Sequence, residues 1–182
     1  MSETEYVVLL DDWGNEIGTA PKASVHGTDT ALHLAFSCHV VNAAGQVLVT
    51  RRALDKKTWP GVWTNSFCGH PPAEPVLQAV HRRAAFEVGL TISDVELALP
   101  LFRYRAVDAS GIVEHEICPV YVARTDEEPR LNPSEVAESR WVDPADLAAA
   151  LEATPWAFSP WLVLQAQQLH LFSPPPAIRA AS

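Results

Sequence analysis

The spacing of apolar and polar residues predicts a series of β-strands. Val7–Leu10 and Glu16–Thr19 flank a polar Asp-Trp-Gly-Asn segment, a pattern typical of a hairpin. Leu34–Val41 and Gln46–Arg52 predict two more strands joined by a turn at Asn42–Gly45, and the run Val-Leu-Val in the second indicates a buried strand. The remaining predicted strands are Glu96–Ala106 and Val113–Arg124, which flank a turn at Asp108–Gly111, and Arg140–Val142.

Three other segments have the features of helices. Apolar residues recur at helical spacing in Glu74–Val88, and the helix is expected to end at Gly89. Pro144–Glu152 follows Asp143, a good N-cap, and has proline at its first helical position. Ser159–Leu171 begins with the same arrangement of a serine followed by a proline. Three helices are therefore predicted, two of them in the C-terminal quarter.

Strands interleaved with helices favour one mixed α/β (α+β) domain in which a mixed β-sheet is flanked by helices. This domain is predicted to span residues 1–172. Trp59–His70 contains one proline and two glycines and is expected to be irregular. Residues 173–182 contain three consecutive prolines and are predicted to form a flexible tail.

Composition narrows the class of protein. With 182 residues, 48% of them hydrophobic and 19% charged, the chain can bury a sizeable core. It has no apolar run near the ~18 residues that span a bilayer and no signal-peptide pattern at its start, so we expect a soluble cytoplasmic protein. The net charge of -9 opposes binding to nucleic acid or anionic membranes.

The charge is unevenly distributed along the chain. Residues 51–105 carry eight basic and five acidic side chains, whereas the rest of the chain carries five basic and seventeen acidic ones. A basic segment within an acidic protein suits a small anionic ligand. The alternative is that these are ordinary surface charges, and composition alone favours that alternative.

Histidines and glutamates from three segments form a candidate metal site. His26 and His33 flank a polar loop, and His70 follows in a Cys-Gly-His-Pro sequence. Glu114 and Glu116 lie two apart on a predicted strand, so both carboxylates point to one face. Imidazole and carboxylate ligands suit Zn²⁺, and Mn²⁺ or Mg²⁺ also accept carboxylates. Spacing alone still favours the alternative of exposed glutamates and scattered surface histidines.

The cysteines are Cys38, Cys68 and Cys118, an odd number with no CxxC spacing. Their number and spacing argue against a disulfide framework. Cys68 lies in an irregular loop close to His70 and is the candidate for an active thiol. The other two are interpreted as packing residues.

The segment Gly69–Leu90 can be compared with the Nudix box, a loop and helix whose clustered glutamates hold Mg²⁺ against a diphosphate. Its last nine residues, RRAAFEVGL, resemble the end of that box. Only Glu87 remains of the three glutamates expected there, and the upstream spacing is one residue short. The sequence therefore predicts the loop and helix without the metal cluster of a Nudix hydrolase.

Longer ordered motifs give the chain a more specific resemblance. From about Tyr6 to Leu171 it resembles the type I isopentenyl-diphosphate isomerases, a family with a Nudix-like fold. The departures are a shortened loop at Pro71–Pro75 and the proline-rich tail. The motifs that carry the resemblance are Leu32–Ser37, Thr50–Leu54, Trp59–Ser66, Cys68–Pro71, Phe102–Ala106, the pair Glu114 and Glu116, and Thr154–Trp161.

The resemblance implies two metal ions. One divalent ion (Mn²⁺, Zn²⁺ or Mg²⁺) would be held by His26, His33, His70, Glu114 and Glu116. A second ion, Mg²⁺, would arrive with the diphosphate and bind Glu87.

It also implies a substrate and its site. The substrate would be isopentenyl or dimethylallyl diphosphate, bound by a monomer or a homodimer. Cys68 and Glu116 would be the catalytic pair, with Tyr104 hydrogen-bonded to Glu116. The diphosphate would be bound by Lys22, Arg52, Lys56 and Arg83, and the hydrocarbon would face Trp161.

The predicted reaction moves a double bond by adding one proton and removing another. A carboxylic acid, with a pKa of about 4.3, is a stronger acid than a thiol at about 8.5. We therefore expect Glu116 to donate the proton and the Cys68 thiolate to accept one, with the roles exchanged in the reverse direction. Two alternatives stay open, a Nudix-type diphosphate hydrolase and a non-catalytic, metal-stabilised binding domain.

Overall fold

The computed structural model describes residues 5–71 and 74–173, and its regular structure alternates between strands and short helices. Its four α-helices within these ranges are α1 (Lys22–Val25), α2 (Val76–Arg83), α3 (Pro144–Ala153) and α4 (Pro160–Ala166). A π-helical turn covers Ala84–Val88, and 3₁₀ turns cover Pro155–Ala157 and His170–Phe172. The strands are β1 (Tyr6–Leu10), β2 (Glu16–Pro21), β3 (His33–Leu34), β4 (Phe36–Val41), β5 (Val47–Arg52), β6 (Trp63–Thr64), β7 (Phe67–Gly69), β8 (Ser93–Leu99), β9 (Arg103–Val107), β10 (Val113–Ile117), β11 (Val120–Arg124) and β12 (Val136–Val142).

These strands form two mixed sheets. The first has the order β2-β1-β3-β10-β9, and β3 and β10 run parallel. The second has the order β12-β5-β4-β11-β8, with β4 and β11 parallel, and the short strands β6 and β7 pair with β5 and β4. The predicted mixture of helices and mixed β-structure is confirmed, but the single sheet that was expected is two.

Three segments predicted as single strands each pass from one sheet to the other. Leu34–Val41 is divided at Ala35, Glu96–Ala106 at residues 100–102, and Val113–Arg124 at residues 118 and 119. Pro119 cannot donate to a ladder, and its carbonyl instead accepts from the backbone N–H of Ser37. The apolar pattern continues across Ala35 and does not reveal that break, whereas Pro100 and Pro119 mark the other two in the sequence.

The helical predictions are largely confirmed. The predicted helix at Glu74–Val88 begins two residues later, at Val76, and its last turn is π-helical. Gly89 ends it with φ +65, and a side chain there would meet the carbonyl of Arg130 at 2.5 Å. The predicted helix at Ser159–Leu171 ends earlier, at Ala166, and continues as turns.

The N-caps of the two C-terminal helices are as predicted. Asp143 accepts from the backbone N–H of Ala145 at 2.8 Å, and Ser159 accepts from that of Leu162 at 3.4 Å. The segment predicted to be irregular, Trp59–His70, contains the short strands β6 and β7, which pair with longer neighbours and are too brief for a period to show.

The second sheet is covered on both faces. In β5, Leu48 packs in a core with α2, while Val47 and Val49 pack on the other side with α3 and α4. Every residue of β4 is buried, as expected of a central strand covered on both sides. None of the described helices is long and apolar enough to cross a membrane. That one domain spans residues 1–172 stays a prediction, and the predicted tail lies, after Ser173, outside the described residues.

Candidate active site

Three histidines and two glutamates meet at the first sheet, close to where the chain crosses to the second. Glu116 on β10 is in register with His33 on the parallel strand β3, and Glu114 lies two residues earlier on the same face. His26 follows α1, and His70 follows β7. The imidazole ring centroids are 5.0, 5.2 and 5.8 Å apart.

These side chains have the donor set of a metal site. Ligand atoms of the three histidines and Glu116 all lie within 4.8 Å of one another. Glu114 lies beside this group, with its Oε2 3.4 Å from Nε2 of His26. His26 Nε2, His33 Nε2 and His70 Nδ1 are buried and have no hydrogen-bond partner among the described residues. Buried nitrogen atoms without partners fit a divalent ion, and the chain therefore contains a His/Glu group that could hold one.

The orientation of His33 also fits a cation. Its Nδ1 donates to the carbonyl of Ala31 at 2.9 Å, which directs Nε2 at Oε1 of Glu116, 3.4 Å away. Burial lowers the pKa of His33, but the adjacent carboxylate of Glu116 outweighs burial and raises that pKa overall. Positive charge is therefore favoured between these two side chains, whether it comes from a proton or from a metal ion.

The two carboxylates differ in protonation preference. Burial opposes ionisation of Glu116, but the imidazoles of His33 and His70 that face it, the latter at hydrogen-bond distance of 3.0 Å, outweigh burial and hold its pKa well below the usual range. Burial and the adjacent Glu116 raise the pKa of Glu114. Tyr104 on β9 donates to Oε2 of Glu116 at 2.9 Å, and burial raises the pKa of this phenol well above its ordinary value. Glu116 is therefore the more acidic of the two carboxyls, and the Tyr104 phenol that donates to it stays protonated.

Cys68 is held by two polar side chains. Its Sγ lies 3.3 Å from Oδ1 of Asn65 and 3.4 Å from Oγ of Ser37. Burial raises the pKa of the Cys68 thiol to about 12, although these contacts partly oppose the rise. Burial therefore favours the neutral thiol over the thiolate at Cys68.

Cys68 lines a cavity that also contains a cluster of charged side chains. Arg83, at the end of α2, is buried and bonds Glu87 through Nη2 at 2.6 Å and Nε at 2.8 Å. The same guanidinium lies 3.3 Å from Oε2 of Glu135, which also binds the ammonium of Lys56. Lys22 pairs with Glu5 at 2.6 Å. Three of the four predicted diphosphate-binding cations are thus paired with carboxylates.

Aromatic rings close another side of the cavity. Trp161 on α4 is 3% exposed, and its centroid lies 5.5 Å from Trp59 and 5.8 Å from Tyr104. The guanidinium of Arg52 lies over the Trp161 ring, 5.3 Å from its centroid. The indole Nε1 donates to Oδ1 of Asn65 at 2.9 Å, so one amide oxygen contacts both this tryptophan and the cysteine.

The cavity has a volume of about 530 Å³ and is large enough for a small phosphorylated ligand. All the site residues predicted from sequence line it except His33, which is fully buried among them. The lining members of the predicted set are Lys22, His26, Arg52, Lys56, Cys68, His70, Arg83, Glu87, Tyr104, Glu114, Glu116 and Trp161.

Comparison with known proteins gives a family. The NUDIX domain model matches residues 31–162. A protein of Agromyces mediolanus named isopentenyl-diphosphate Delta-isomerase is 70% identical over 92% of this chain and 82% of its own length. The chain belongs to this isomerase family.

Two further relatives extend the comparison. The isopentenyl-diphosphate Delta-isomerase of Kocuria rhizophila is 55% identical and is covered over 97% of its length, and 99% of this chain takes part in the match. A solved structure from Deinococcus radiodurans, 20% identical, superimposes with a TM-score of 0.71 over 91% of this chain and 99% of its own. The structural likeness shows the fold alone.

The structure also places polar residues at the site that sequence reasoning missed. Glu135 lines the cavity and pairs with Lys56 and Arg83, two of the side chains predicted to bind the diphosphate. Thr58 donates to Oε1 of Glu114 at 2.6 Å. Ser37 and Asn65 contact Cys68. Ser37 and Asn65 fall within the motifs that define the family resemblance, which is the signal that could have found them. Glu135 lies in a loop with no such signal.

Proposed function

We propose that this isomerase-family chain interconverts isopentenyl diphosphate and dimethylallyl diphosphate. The observation that carries the proposal is that a thiol, Cys68, and a carboxyl, Glu116, line the same cavity. Cationic side chains line one part of this cavity and aromatic side chains another. The relatives that are 70% and 55% identical bear the name of this activity. A binding domain would need neither a thiol in the cavity nor a carboxylate with its own tyrosine donor.

The reaction needs two proton-transfer groups. A proton adds to the terminal alkene carbon and leaves a tertiary carbocation, and a different proton then leaves the neighbouring carbon to form the new double bond. Atoms balance because one group gives a proton and the other takes one. Cys68 and Glu116 would fill these roles from different sides of the substrate, and Tyr104 would hold the Glu116 carboxyl through its hydrogen bond of 2.9 Å.

The protonation states of Cys68 and Glu116 determine which of the two donates the first proton. In this structure the preferences are a neutral Cys68 and an ionised Glu116, the reverse of the state expected from sequence for the forward reaction. The physical reason is that burial penalises the thiolate, while two histidines stabilise the carboxylate. Transfer of one proton between the two groups interconverts the states, so the pair suits a reversible reaction with either group as donor.

His26, His33, His70, Glu114 and Glu116 would hold a divalent ion, whose positive charge would stabilise the two carboxylates and lower the pKa of Glu116 further. The protein's own contribution there is orientation. Tyr104 and Thr58 hold the outer oxygens of the two glutamates, and the carbonyl of Ala31 holds the His33 ring.

The diphosphate would be bound by Arg52, Lys56, Arg83 and Lys22. Guanidinium groups bind phosphate oxygens in a bidentate manner. A Mg²⁺ ion that accompanies the diphosphate would bind Glu87, a buried carboxylate facing the same cavity. Holding the diphosphate firmly matters because it is a potential leaving group.

The carbocation must be stabilised away from water. The Trp161 ring lines the cavity with little exposure, and an indole face is worth about 2 kcal/mol to a desolvated cation. Trp59 packs edge-on against it and helps to keep this part of the cavity dry.

Proton NMR of the metal-loaded protein with isopentenyl diphosphate and Mg²⁺ in D₂O tests the proposal. We expect new dimethylallyl methyl signals with deuterium entering them. The matched pair of variants is Cys68→Ala, expected to abolish turnover, and Cys38→Ala, which removes a buried cysteine outside the cavity and is expected to leave turnover intact. Release of inorganic phosphate without a carbon change would instead identify a hydrolase, and full activity of Cys68→Ala would refute the mechanism.

A further inference from the structure

Behind Cys68, buried side chains form a continuous hydrogen-bonded chain that leads away from the cavity. Nε2 of His39 lies 2.9 Å from Oε1 of Gln165, whose Nε2 lies 2.9 Å from Oγ of Ser37. That hydroxyl lies 3.4 Å from the sulfur of Cys68. His39, Gln165 and Ser37 are each fully buried. No part of the mechanism above uses these three residues.

The direction of the chain follows from His39. Burial lowers its pKa to about 4, so the ring is neutral and carries a single N–H. Its Nδ1 is buried without a partner among the described residues. An unpaired buried N–H is rarer than an unpaired acceptor, so the proton lies on Nε2 and is donated to Gln165.

The orientation of the Gln165 amide is then fixed. Its oxygen accepts from His39, and its NH₂ group donates to Ser37. Because the Ser37 oxygen accepts this bond, its single O–H is free to point at sulfur. Two sulfur atoms lie 3.4 Å away, those of Cys68 and Cys118. Only Cys68 lines the cavity.

We propose that Ser37 is a positioning residue for Cys68, and that its hydroxyl donates to the cysteine sulfur while Gln165 and His39 hold it in that orientation. This inference rests on the proposed isomerase function. Asn65 completes the arrangement, since its Oδ1 lies 3.3 Å from the same sulfur and accepts the thiol proton. The donor and the acceptor together fix the sulfur against the cavity, and the donor offsets the negative charge that grows there when the proton leaves.

Steady-state kinetics of Ser37→Ala and Ser37→Thr test the role. A hydrogen bond to a charged group is worth about a ten- to hundredfold change, so we expect Ser37→Ala to lower kcat by that factor. KM should stay within about twofold, because Ser37 does not line the cavity. Ser37→Thr keeps the O–H and should recover most of kcat. Should Ser37→Ala fail to fold, Ser37→Cys, with a polar atom for Gln165 but a weak donor, should show the same loss of kcat.

Cys118→Ala is the matched control. It removes the other sulfur that touches the same hydroxyl and should leave kcat within about twofold of the unmodified protein. Thermal unfolding of each variant verifies that it is folded at the assay temperature. The proposal is overturned if Ser37→Ala keeps full kcat, or if Cys118→Ala loses as much.

A second measurement does not depend on turnover. Iodoacetamide modification of Cys68, followed by peptide mass spectrometry, reports the reactivity of its sulfur. We expect Ser37→Ala to slow it about five- to tenfold and Ser37→Thr to restore it. An unchanged modification rate in Ser37→Ala would contradict the hydrogen bond, even if the protein proved not to be an isomerase. A slowed rate in Ser37→Ala, together with no turnover by the unsubstituted protein, would reject the proposed function but keep the hydrogen bond.

Discussion

Replacing His39 by glutamine should change how the stability of the protein depends on pH. Burial lowers the pKa of His39 from 6.5 to about 4, and the hydrogen bond from its ring to Gln165 only partly opposes this. One pKa unit is worth about 1.4 kcal/mol, so the difference corresponds to about 3 kcal/mol. The unfolded chain binds a proton near pH 6.5 and the folded protein only near 4, so stability is complete above 6.5 and is lost as the pH falls towards 4.

Urea unfolding between pH 7 and 4 measures the effect, with EDTA present so that metal loss at low pH does not contribute. Over this range the unmodified protein should lose about 3 kcal/mol more than His39→Gln, which cannot titrate there. His170→Gln is the control, because this histidine is exposed and its curve should follow that of the unmodified protein. Parallel curves for the unmodified protein and His39→Gln would refute the assignment of a neutral, buried imidazole.

Two other predictions concern the ligands of the site. Glu135→Gln removes the negative charge that is paired with Lys56 and Arg83, so calorimetry without Mg²⁺ should show pyrophosphate binding about tenfold tighter. Glu152→Gln, on the exposed face of α3, is the control and should leave the affinity unchanged. Weaker binding by Glu135→Gln would contradict this prediction. Adding a divalent ion at about a hundred times its Kd to protein freed of metal by a chelator should raise the free energy of unfolding by about 3 kcal/mol. His70→Ala should abolish this gain, whereas His81→Ala, a change at an exposed histidine, should retain it. An equal gain in both variants would place the metal elsewhere.

Local sequence rules accounted for much of the fold. The caps at Asp143 and Ser159 and the left-handed Gly89 depend on neighbours within a few residues, so sequence alone predicted them. Strand alternation likewise placed Glu114 and Glu116 on one buried face. The family resemblance supplied the remaining candidate residues, and nearly all of them line one cavity.

The tertiary structure decided what depends on contacts between distant segments. A continuous apolar pattern concealed the crossing at Ala35, because a strand that changes sheets can keep the same pattern, whereas Pro119 marks the other crossing but does not show which strands it pairs with. Glu135 joined the cationic cluster through side chains that are far away in sequence. The protonation preferences of Cys68 also came from the structure, since burial and hydrogen bonds from other segments set them and a linear sequence records neither.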